Sequence, residues 1–402
     1  MKLVVRGLIL LLTSWLLFYS TASTEIEGSR EEQVVADNAP FIPMETNVPP
    51  KFGSYSLLEA RDTNGERALI QQVPALFSSS GEEMERCFVA LVERDHSLRN
   101  LRPADTLEER DRFFFDQTDD GLLNIREEGN LVLTYRFGRQ EPKGVPSDRF
   151  RSTYIHPVVD PYGSVLTDDF PEDHLHHRGL SWMWPNVVID GQVLDLWHLR
   201  GIYQRFESWI LRESGPICGT IGVKNTWNTA ERTVADEWVW VRTFAAGRLG
   251  RVVDITLTWK ARERISIRGA ETKGYGGLCF RLGPRLETVI TTPQGPLDAD
   301  SDLRSFAWAD QSGRFGGSTS FSGVAVFQHP KNLSFPAGWC LRHYGFLGVS
   351  WPGAGQFILE PNLPLTLRFR FWIHKGDASE GRVREAYQGF ADLAARPMLE
   401  IR

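Results

Sequence analysis

The sequence has few of the features that mark common classes of binding protein. Its 402 residues contain only four cysteines, and no two of them form a CxxC pair, which excludes the usual zinc-ribbon and thioredoxin-like motifs. There is no excess of basic residues, because the formal net charge is −6 at pH 7. Nucleic acids and anionic membranes select for basic surfaces. We therefore expect neither as a partner.

Short catalytic motifs are also missing. The sequence contains no GxSxG nucleophile elbow and no HExxH zinc motif, which argues against lipase-type and zincin-type hydrolases. The glycine-rich stretch ETKGYGGLCFRL at 271–282 has no following GK[ST] and continues as a strand pattern, so it is not a phosphate-binding loop. We expect Tyr275, which stands among these glycines, to contact a ligand.

Only one long apolar run is present, and it lies at the start of the chain. Lys2 and Arg6 precede an apolar segment at 8–18, and small residues follow at 20–23. This order predicts a secretory signal peptide over 1–23, with an uncleaved membrane anchor as the alternative. Without Lys2 and Arg6 the net charge becomes −8. We expect a secreted or periplasmic protein that does not contact membranes once the signal is cleaved.

The four cysteines, Cys87, Cys218, Cys279 and Cys340, are far apart in the sequence. Secretion would permit disulfides. An isolated cysteine in an apolar strand is nevertheless more often a small buried hydrophobic residue. We expect structural cysteines and assign no pairs.

Alternation with a period of two residues dominates the rest of the chain. The stretches RVVDITLTWKAR and LPLTLRFRFWIH each place apolar residues on one face and polar residues on the other, which predicts half-buried antiparallel strands. We predict a flexible lead-in at 24–50, a small β unit at 51–115 and a large β-sandwich at 116–402. No repeat of fixed period suggests a propeller.

Convincing helical spacing occurs once, near the C-terminus. In SEGRVREAYQGFADLAARP, Val383, Tyr387, Phe390 and Leu393 fall on one side, a serine precedes them and a proline ends the segment. The predicted fold class is therefore all-β, a large antiparallel supersandwich with a C-terminal helix.

One stretch, DDFPEDHLHHRGLSWMW at 168–184, concentrates reactive side chains. Three of the nine histidines of the chain lie within four positions here. Histidine titrates near neutral pH, so His174 or His176 is a candidate proton donor or acceptor on a sugar. Asp168, Asp169 or Asp173 would orient that imidazole.

The neighbouring side chains are candidates for substrate binding. Arg178 would hold a substrate oxygen, while Trp182 and Trp184 would stack on the C–H face of a sugar ring. A second polar stretch, FQHPKNLSFPAGWCLRHYG, places further polar residues at strand ends, where sites are commonly built. The additional binding candidates are His177, His329, Asn332, Arg342 and His343.

A metal site is the alternative for the same histidines. If the segment is extended, His174 and His176 project to one face and His177 to the other. Two histidines would then bind one transition metal ion, with a third ligand from His329 or His343. That arrangement would indicate a metal-dependent oxidoreductase. The acid–base interpretation requires no cofactor.

Several stretches together resemble a known bacterial family. YIHPVVDPYGSVLTDDFPEDHLHHRGLSWMWP, GYGGLCFRL, VAVFQHPKN and FWIHKGD, spread over 130–375, are similar to the family labelled methane oxygenase PmoA in genomes. The methane monooxygenase subunit spans the membrane several times, whereas this chain has no such spans. The resemblance therefore implies a family of secreted β proteins of unsettled chemistry and does not imply methane oxidation.

A second likeness concerns the fold. An HLHH turn that enters a strand of a long sandwich is similar to the HLHGG region of galactose mutarotases. The likeness implies a sugar ligand, His174 or His176 as the acid, and Glu360 in ILEPNLP as a candidate base. We predict a carbohydrate-active protein of epimerase, lyase or hydrolase type. A sugar-binding protein without catalysis is a further alternative.

Overall fold

The computed structural model describes most of the chain after residue 41. The described ranges are 42–48, 50–62, 65–76, 86–92, 98–104, 110–141, 143–146, 149–395 and 399–400. All of them belong to one compact unit, residues 39–402. The expected signal peptide and the first part of the expected lead-in lie outside the described residues. Among the helices that the structure describes, none is long and apolar enough to cross a membrane.

The described residues form strands almost throughout. In chain order these are β1 Ile42–Asn47, β2 Leu57–Arg61, β3 Arg67–Pro74, β4 Arg86–Val92, β5 Arg99–Pro103, β6 Phe113–Gln117, β7 Leu122–Glu127, β8 Asn130–Arg136, β9 Tyr154–Val158, β10 Leu180–Met183, β11 Asn186–Ile189, β12 Gln192–Leu194, β13 Tyr203–Glu213, β14 Cys218–Asn228, β15 Thr233–Phe244, β16 Gly250–Ala261, β17 Ile265–Arg268, β18 Gly277–Arg281, β19 Arg285–Thr292, β20 Gly295–Pro296, β21 Ser301–Ser305, β22 Trp308–Phe315, β23 Ser322–Gln328, β24 Gly338–Arg342, β25 Phe346–Ser350, β26 Gln356–Leu359, β27 Pro364–Lys375 and β28 Leu399–Glu400. A 3-10 turn covers Pro50–Phe52, and the helix α1 covers Val383–Ala395.

Two nine-stranded antiparallel sheets form the centre of the molecule. The front sheet has the order β21-β24-β25-β18-β10-β9-β8-β7-β6, and the back sheet has the order β13-β14-β15-β16-β27-β23-β22-β19-β20. Their facing side chains form one large apolar core. For example, Phe280 of β18 packs edge-to-face on Phe371 of β27, with ring centroids 5.0 Å apart. The expected all-β antiparallel supersandwich with a C-terminal helix is confirmed.

A third layer covers the outer face of the back sheet. It consists of a six-stranded sheet, β28-β1-β4-β3-β2-β5, together with α1. Val73 and Val89 of this sheet, Trp372 of the back sheet and Phe390 of α1 share one apolar cluster. The N-terminal β unit expected at 51–115 therefore packs on the sandwich. A four-stranded sheet, β12-β11-β17-β26, completes the fold.

Because of this layer, several back-sheet strands are buried on both faces. The sequence pattern predicts a solvent-exposed polar face for β16, yet Asp254, Thr256 and Thr258 are all buried. Asp254 forms a paired hydrogen bond with Arg370 of the adjacent β27, at 2.6 and 2.8 Å, which provides the partner that a buried carboxylate requires. The alternating pattern identified the strands correctly, but it did not predict that their polar faces are buried.

The structure also bears on the expectations for the lead-in and for the cysteines. The lead-in expected at 24–50 includes the strand β1, which pairs with β4 and with β28. An aperiodic segment can join a sheet in this way because backbone pairing does not depend on apolar alternation.

The four cysteines are all buried, as expected for small apolar residues.

Candidate functional site

The outer face of the front sheet provides the floor of the candidate site. Trp184, which follows β10, packs on Trp227 and Trp259 of the back sheet, so the alternate residues Ser181 and Met183 point away from that core. Ser181 lies opposite Cys279 of β18. Arg281 at the end of β18 lies opposite Phe346 of β25. The segment 168–178, which we call the histidine turn, covers this end of the sheet.

The metal hypothesis assumed an extended segment, but the histidine turn is compact. The backbone N–H of His174 donates to the carbonyl of Pro171 at 3.0 Å, and that of His177 donates to the carbonyl of His174 at 2.8 Å. Two successive turns place His177 directly against His174, with ring centroids 4.5 Å apart and planes 7° from parallel. His176 stands edge-on to His177 at 4.6 Å. All three histidines therefore lie together instead of on opposite faces.

The end of the turn requires a glycine. A Cβ atom at Gly179 would clash with the backbone carbonyl of Ile155 in β9. The chain can therefore pass from Arg178 into β10 at this close distance only without a side chain. This contact explains the glycine of the HHRG sequence.

A fourth histidine, which the sequence analysis missed, completes the group. His198 lies with its ring centroid 4.4 Å from that of His176. Its Nδ1 atom pairs with Oδ2 of Asp195 at 2.7 Å, and its backbone N–H donates to Oδ1 at 2.9 Å. The local signal is the D-x-x-H spacing in DLWH, because one turn brings such residues together. We call His174, His176, His177 and His198 the histidine cluster.

Asp195 is held as a carboxylate. Burial alone would raise its pKa, but the hydrogen bonds from the side chain and backbone of His198 outweigh burial and lower the pKa below its usual value. The carboxylate accepts the Nδ1–H of His198, which leaves Nε2 as the basic atom of that ring. His198 and Asp195 thus form an oriented acid–base pair.

His174 forms a second pair with a carboxylate. Its Nδ1 lies 3.0 Å from Oδ2 of Asp173, and the same carboxylate accepts Nη2 of Arg281 at 2.8 and 2.9 Å. Burial would raise the pKa of Asp173, but the hydrogen bonds with His174 and Arg281 lower it. Asp173 is therefore shared between the imidazole and a buried guanidinium.

The two remaining histidines of the cluster are neutral near pH 7. Burial, together with the neighbouring histidines and arginines, lowers the pKa of His176 to about 3 and that of His177 to about 2. A neutral imidazole has one donor and one acceptor nitrogen. His176 is therefore suited to hydrogen bonding and not to the role of a protonated acid. The proton-transfer role expected for His174 or His176 fits His174.

Aromatic rings surround the cluster. Tyr344 stacks on His174 at 5.4 Å and 12°, and Phe346 packs against His177 at 5.2 Å. Trp197 lies between His177 and Tyr275, with its ring 4.8 Å from that of Tyr275. Tyr275, the expected ligand contact, therefore lies next to the cluster, with Trp197 between them. The positions of Tyr344, Phe346 and Trp197 depend on strand pairing and left no local signal.

Three residues expected to bind substrate are buried instead. Trp182 and Trp184 are 1% and 0% exposed, so neither offers a face to a sugar, and the stacking role expected for them does not fit. Arg178 is 1% exposed and donates to the carbonyls of Leu175, His177 and Arg149. Its guanidinium holds the histidine turn, which leaves it no free edge for a substrate oxygen.

Asp168 and Asp169 lie on opposite sides of the turn. Asp169 accepts the hydroxyl of Tyr154 at 2.9 Å, and burial raises its pKa to about 6 despite the nearby arginines. Oδ2 of Asp168 lies 4.0 Å from Nε of Arg281, and burial raises its pKa as well. Of the three expected carboxylates Asp168, Asp169 and Asp173, it is Asp173 that lies against a histidine Nδ1, and Asp195, which was not expected, pairs with His198.

His329 and Asn332 lie against β27 and α1. The ring of His329 packs on Phe390 of α1 at 5.5 Å, and the side chain of Asn332 bonds both backbone groups of Arg368 in β27. These contacts are at the back sheet, whereas the histidine cluster covers the front sheet. The structure therefore does not bring these two residues to the cluster.

Arg342, His343 and Glu360 also have partners of their own. Arg342 binds Asp302 at 2.5 Å, and His343 pairs with Asp300 at 2.9 Å, so both side chains face the segment before and within β21. Glu360 lies 3.4 Å from Arg264 and is half exposed, which does not fit a catalytic base beside the cluster. The residue of this stretch that reaches the cluster is Tyr344.

The metal hypothesis has no geometric support. Within the described part of the chain, no group of three or more histidine, cysteine, aspartate or glutamate side chains is arranged to hold a metal ion. Its proposed third ligands, His329 and His343, have the separate contacts described above.

A buried polar chain supports the turn that carries His198. Arg151, 2% exposed, donates to the carbonyls of Leu196 and Trp197 at 3.0 and 2.9 Å. It also contacts Gln204, whose amide donates to the buried carboxylate of Glu237 at 3.1 Å. The position of the turn at 195–198 is thus fixed from the interior of the sandwich.

Three solved structures to which this chain is similar are far from it in sequence. An α-galactosidase of Geobacillus stearothermophilus is 11% identical, with a TM-score of 0.37, and the match covers 73% of this chain and 43% of that one. A second α-galactosidase, from Lactobacillus brevis, is 7% identical with a TM-score of 0.34, and the match covers 67% of this chain and 39% of that one. A structure assigned provisionally as an aldose 1-epimerase, from Klebsiella pneumoniae, is 10% identical with a TM-score of 0.31, covering 89% and 97% of the two chains. The chain thus spans less than half the length of the two galactosidases.

The sequence itself matches a family model. The model is described as a family of unknown function, DUF6807, and it matches residues 123–388, from β7 into α1. No curated protein matches the chain. The expected resemblance to a family without an assigned function is confirmed.

Proposed function

From the premise that the chain belongs to the DUF6807 family, whose function is unknown, we propose that it is an exported protein that binds a carbohydrate and transforms it by acid–base chemistry. The histidine cluster is the site of both steps. Export is the expectation from residues 1–23.

One observation carries this proposal, namely two histidine–carboxylate pairs on either side of a neutral imidazole. The ring centroids of His198 and His174 lie 4.4 and 5.7 Å from that of His176. Each of the two outer histidines has an aspartate at Nδ1. An acid and a base in this arrangement can act on two atoms of one small ligand.

The two pairs differ in how their carboxylates are engaged, and this difference assigns their roles. Asp195 accepts both the Nδ1–H and the backbone N–H of His198, which fixes the ring with Nε2 as its free acceptor nitrogen. Both oxygens of Asp173 accept Nη2 of Arg281, and Oδ2 also lies 3.0 Å from Nδ1 of His174. We assign His198 as the general base and His174 as the general acid.

The surroundings suit a polyhydroxylated ligand. His176 and His177 are neutral and offer both donor and acceptor nitrogens to hydroxyl groups. Tyr344, which is 45% exposed, and Tyr275 provide flat apolar faces for sugar C–H groups. The base would remove a proton from a hydroxyl, an acidic C–H or an attacking water, and the acid would give a proton to the ring oxygen or to the departing oxygen. With these three proton sources the same pair serves epimerisation, elimination and hydrolysis, respectively.

The test is a ligand and turnover screen on the mature protein. Monosaccharides and oligosaccharides would be ranked by isothermal titration calorimetry, and each ligand would then be incubated and followed by proton NMR. The variants are His198→Asn and His174→Asn. His343→Asn is the matched control, because it also removes a histidine paired with an aspartate, at 2.9 Å, but outside the cluster.

The expected result is binding of a sugar and its conversion by the unmodified protein and by the control. Turnover should fall by about 100-fold or more in each cluster variant, the usual loss when a general acid or base is removed. Binding without conversion would indicate a sugar-binding protein instead. If no sugar binds in the screen, the proposal is wrong.

A further inference from the structure

Three deeply buried arginines lie around the histidine cluster. Arg151 and Arg178 are 2% and 1% exposed, and the side chain of Arg281 is 7% exposed. Arg151 donates to the carbonyl of Trp197, whose ring contacts His176 and His177. Arg178 directly follows the histidines in the chain, and Arg281 binds the carboxylate that pairs with His174.

Only one of these three arginines hydrogen bonds to a carboxylate. Arg281 hydrogen bonds to Asp173, whereas the nearest carboxylate oxygen to Arg178 is Oδ1 of Asp169 at 3.8 Å. Within the described residues, Arg151 has no carboxylate within 4.0 Å and donates to backbone carbonyls. Buried cations are ordinarily paired. Asp169 and Asp168 thus lie near Arg178 and Arg281 without hydrogen bonding to them, and Arg151 is held by carbonyls alone among its close partners.

Several buried donors of these guanidinium groups also have no hydrogen-bond acceptor in the described structure. These are Nε of Arg151, Nε of Arg178, and Nε and Nη1 of Arg281. For Arg281 the closest further carboxylate is that of Asp168, 4.0 Å from Nε, which is beyond hydrogen-bond length. A buried N–H without an acceptor is costly, so the two unpaired donors of Arg281, the least buried of the three arginines, favour an incoming oxyanion.

The position of Arg281 indicates where that oxyanion would bind. Its guanidinium carbon lies 4.8 Å from the centroid of the Tyr344 ring, and Tyr344 stacks on His174. Tyr344 is the most exposed ring of this group. A ligand that stacks on Tyr344 is therefore held beside Arg281.

We propose that the carbohydrate bound at the histidine cluster is acidic, with a carboxylate or a sulfate ester that binds beside Arg281 and Tyr344. This inference rests on the proposed function and narrows its ligands to uronic acids and sulfated sugars. The buried arginines supply the charge, and the two histidine–aspartate pairs supply the proton transfers.

The experiment compares matched sugars on the mature protein by calorimetry. The pairs are galacturonate with galactose, glucuronate with glucose, and a 6-sulfated hexose with its unsulfated form, each at low and high salt. We expect the acidic member to bind at least about tenfold more tightly, as charge-assisted hydrogen bonds are stronger than neutral ones. The preference should shrink at high salt. The uronate and sulfate pairs separate the two possible oxyanions.

Two variants test whether Arg281 provides the positive charge that binds the acidic group of the sugar. Arg281→Gln should abolish the preference for the acidic sugar, measured as the ratio of the affinities for the two members of each pair, and a preference that persists in this variant would overturn the inference. Arg264→Gln is the control, because Arg264 pairs with Glu360 at the surface, and it should change neither affinity. Circular dichroism checks that Arg281→Gln folds. If it does not fold, the salt dependence of the unmodified protein decides the question.

The outcomes separate this inference from the proposed function. Equal binding of acidic and neutral sugars would overturn the inference and leave the proposed function intact. Failure of every sugar to bind would overturn both. Acetate and inorganic sulfate are the remaining controls, and if either binds as tightly as the acidic sugar, the site is a simple anion site and the inference is wrong.

Discussion

At the scale of single residues, the difference between the two histidine–aspartate pairs is the main chemical feature of this protein. Asp195 accepts hydrogen bonds from both the side chain and the backbone of His198. Both oxygens of Asp173 accept Nη2 of Arg281, and its Oδ2 also lies 3.0 Å from Nδ1 of His174. The first carboxylate is engaged with one histidine, whereas the second is shared with a guanidinium. Similar residue types at the two ends of one cluster therefore have distinct roles.

Replacing Asp195 by Asn tests the orientation of His198. The amide cannot hold the Nδ1–H as the carboxylate does, so we expect His198 to change its preferred tautomer and turnover to fall by about 100-fold or more. Nitrogen-15 NMR of the imidazoles measures the tautomer without any substrate. Asp300→Asn, which changes the pair of His343, is the control. An unchanged His198 tautomer in Asp195→Asn would contradict the assignment.

Replacing Arg178 by Met tests the support of the histidine turn. Arg178 donates to three backbone carbonyls, and its guanidinium carbon lies 3.2 Å from the centroid of the Phe170 ring. Loss of these donors leaves buried carbonyls without partners, so the free energy of unfolding should fall by about 3 kcal/mol. Urea denaturation measures this change. The exposed Arg205→Met should change it by less than about 0.5 kcal/mol, and an equally stable Arg178 variant would show that the carbonyls find other donors.

Sequence reasoning located part of the site at this scale. The concentration of histidines at 174–177 was visible directly, and the structure makes it the centre of the candidate site. His198, Tyr344 and Phe346 were missed because long-range strand pairing brings them to the turn. Trp182 and Trp184 were misjudged because a tryptophan in a strand has the same sequence signal in a core and on a sugar-binding face.

At the scale of elements, the period-2 pattern predicted the strands well but gave no information on what covers them. The polar residues of β16 and β27 suggested a solvent face, yet a third layer buries them and Asp254 pairs with Arg370. A strand pattern reports its own two faces and cannot show a layer contributed by distant residues. The extended conformation assumed for the histidine turn was wrong for a related reason. Backbone hydrogen bonds make this segment compact, and the order of its side chains does not reveal them.

The helix α1 provides a test of the third layer. Phe390 is 2% exposed, and its ring lies 6.0 Å from Phe327 and 5.5 Å from His329. Replacing Phe390 by Ala leaves a cavity against the back sheet and should lower the free energy of unfolding by about 3–5 kcal/mol. Thermal and urea denaturation measure the loss. Gln388→Ala, on the exposed side of the same helix, should be nearly neutral, and equal effects of the two changes would refute this packing.

At the scale of the whole molecule, buried histidines determine how stability depends on pH. Burial lowers the pKa of His156, His176 and His329 to about 3 and that of His177 to about 2. Below about pH 6.5 the unfolded chain binds protons at these positions and the folded chain does not. Stability is therefore lost as the pH falls from about 6.5 towards 3.

Two groups act in the opposite direction. The pKa of Asp169 is raised to about 6, and burial raises that of Asp168 as well, so the folded state binds these protons first and gains stability as the pH falls through the raised pKa values towards 4. Four histidines outweigh two aspartates. For His156 and His177 the loss is on the order of 1 kcal/mol per pH unit each. Thermal unfolding at constant ionic strength from pH 7.5 to 4.5 should show a steady fall of Tm, and a flat profile would contradict these shifts.

The overall architecture was predictable for a physical reason. Long alternation, scarce helical spacing and the absence of a repeat leave a large antiparallel sandwich as the main solution. The third layer was predictable only as a separate β unit, because no pattern in residues 51–115 reveals the surface on which it packs. The strand β1 inside the expected lead-in has the same explanation, since its partners β4 and β28 come later in the chain.

The third layer has a consequence for how this protein is made. Its strands β1–β5 come first in the chain, but the surface that they cover includes Trp372 of β27 and Phe390 of α1. During synthesis the early strands therefore emerge with their apolar face uncovered, and their partner surface is completed only when the last part of the chain has been translated. Such a nascent chain exposes sheet edges and apolar residues for most of its elongation. It is a natural client for chaperones that hold a polypeptide unfolded until it is complete.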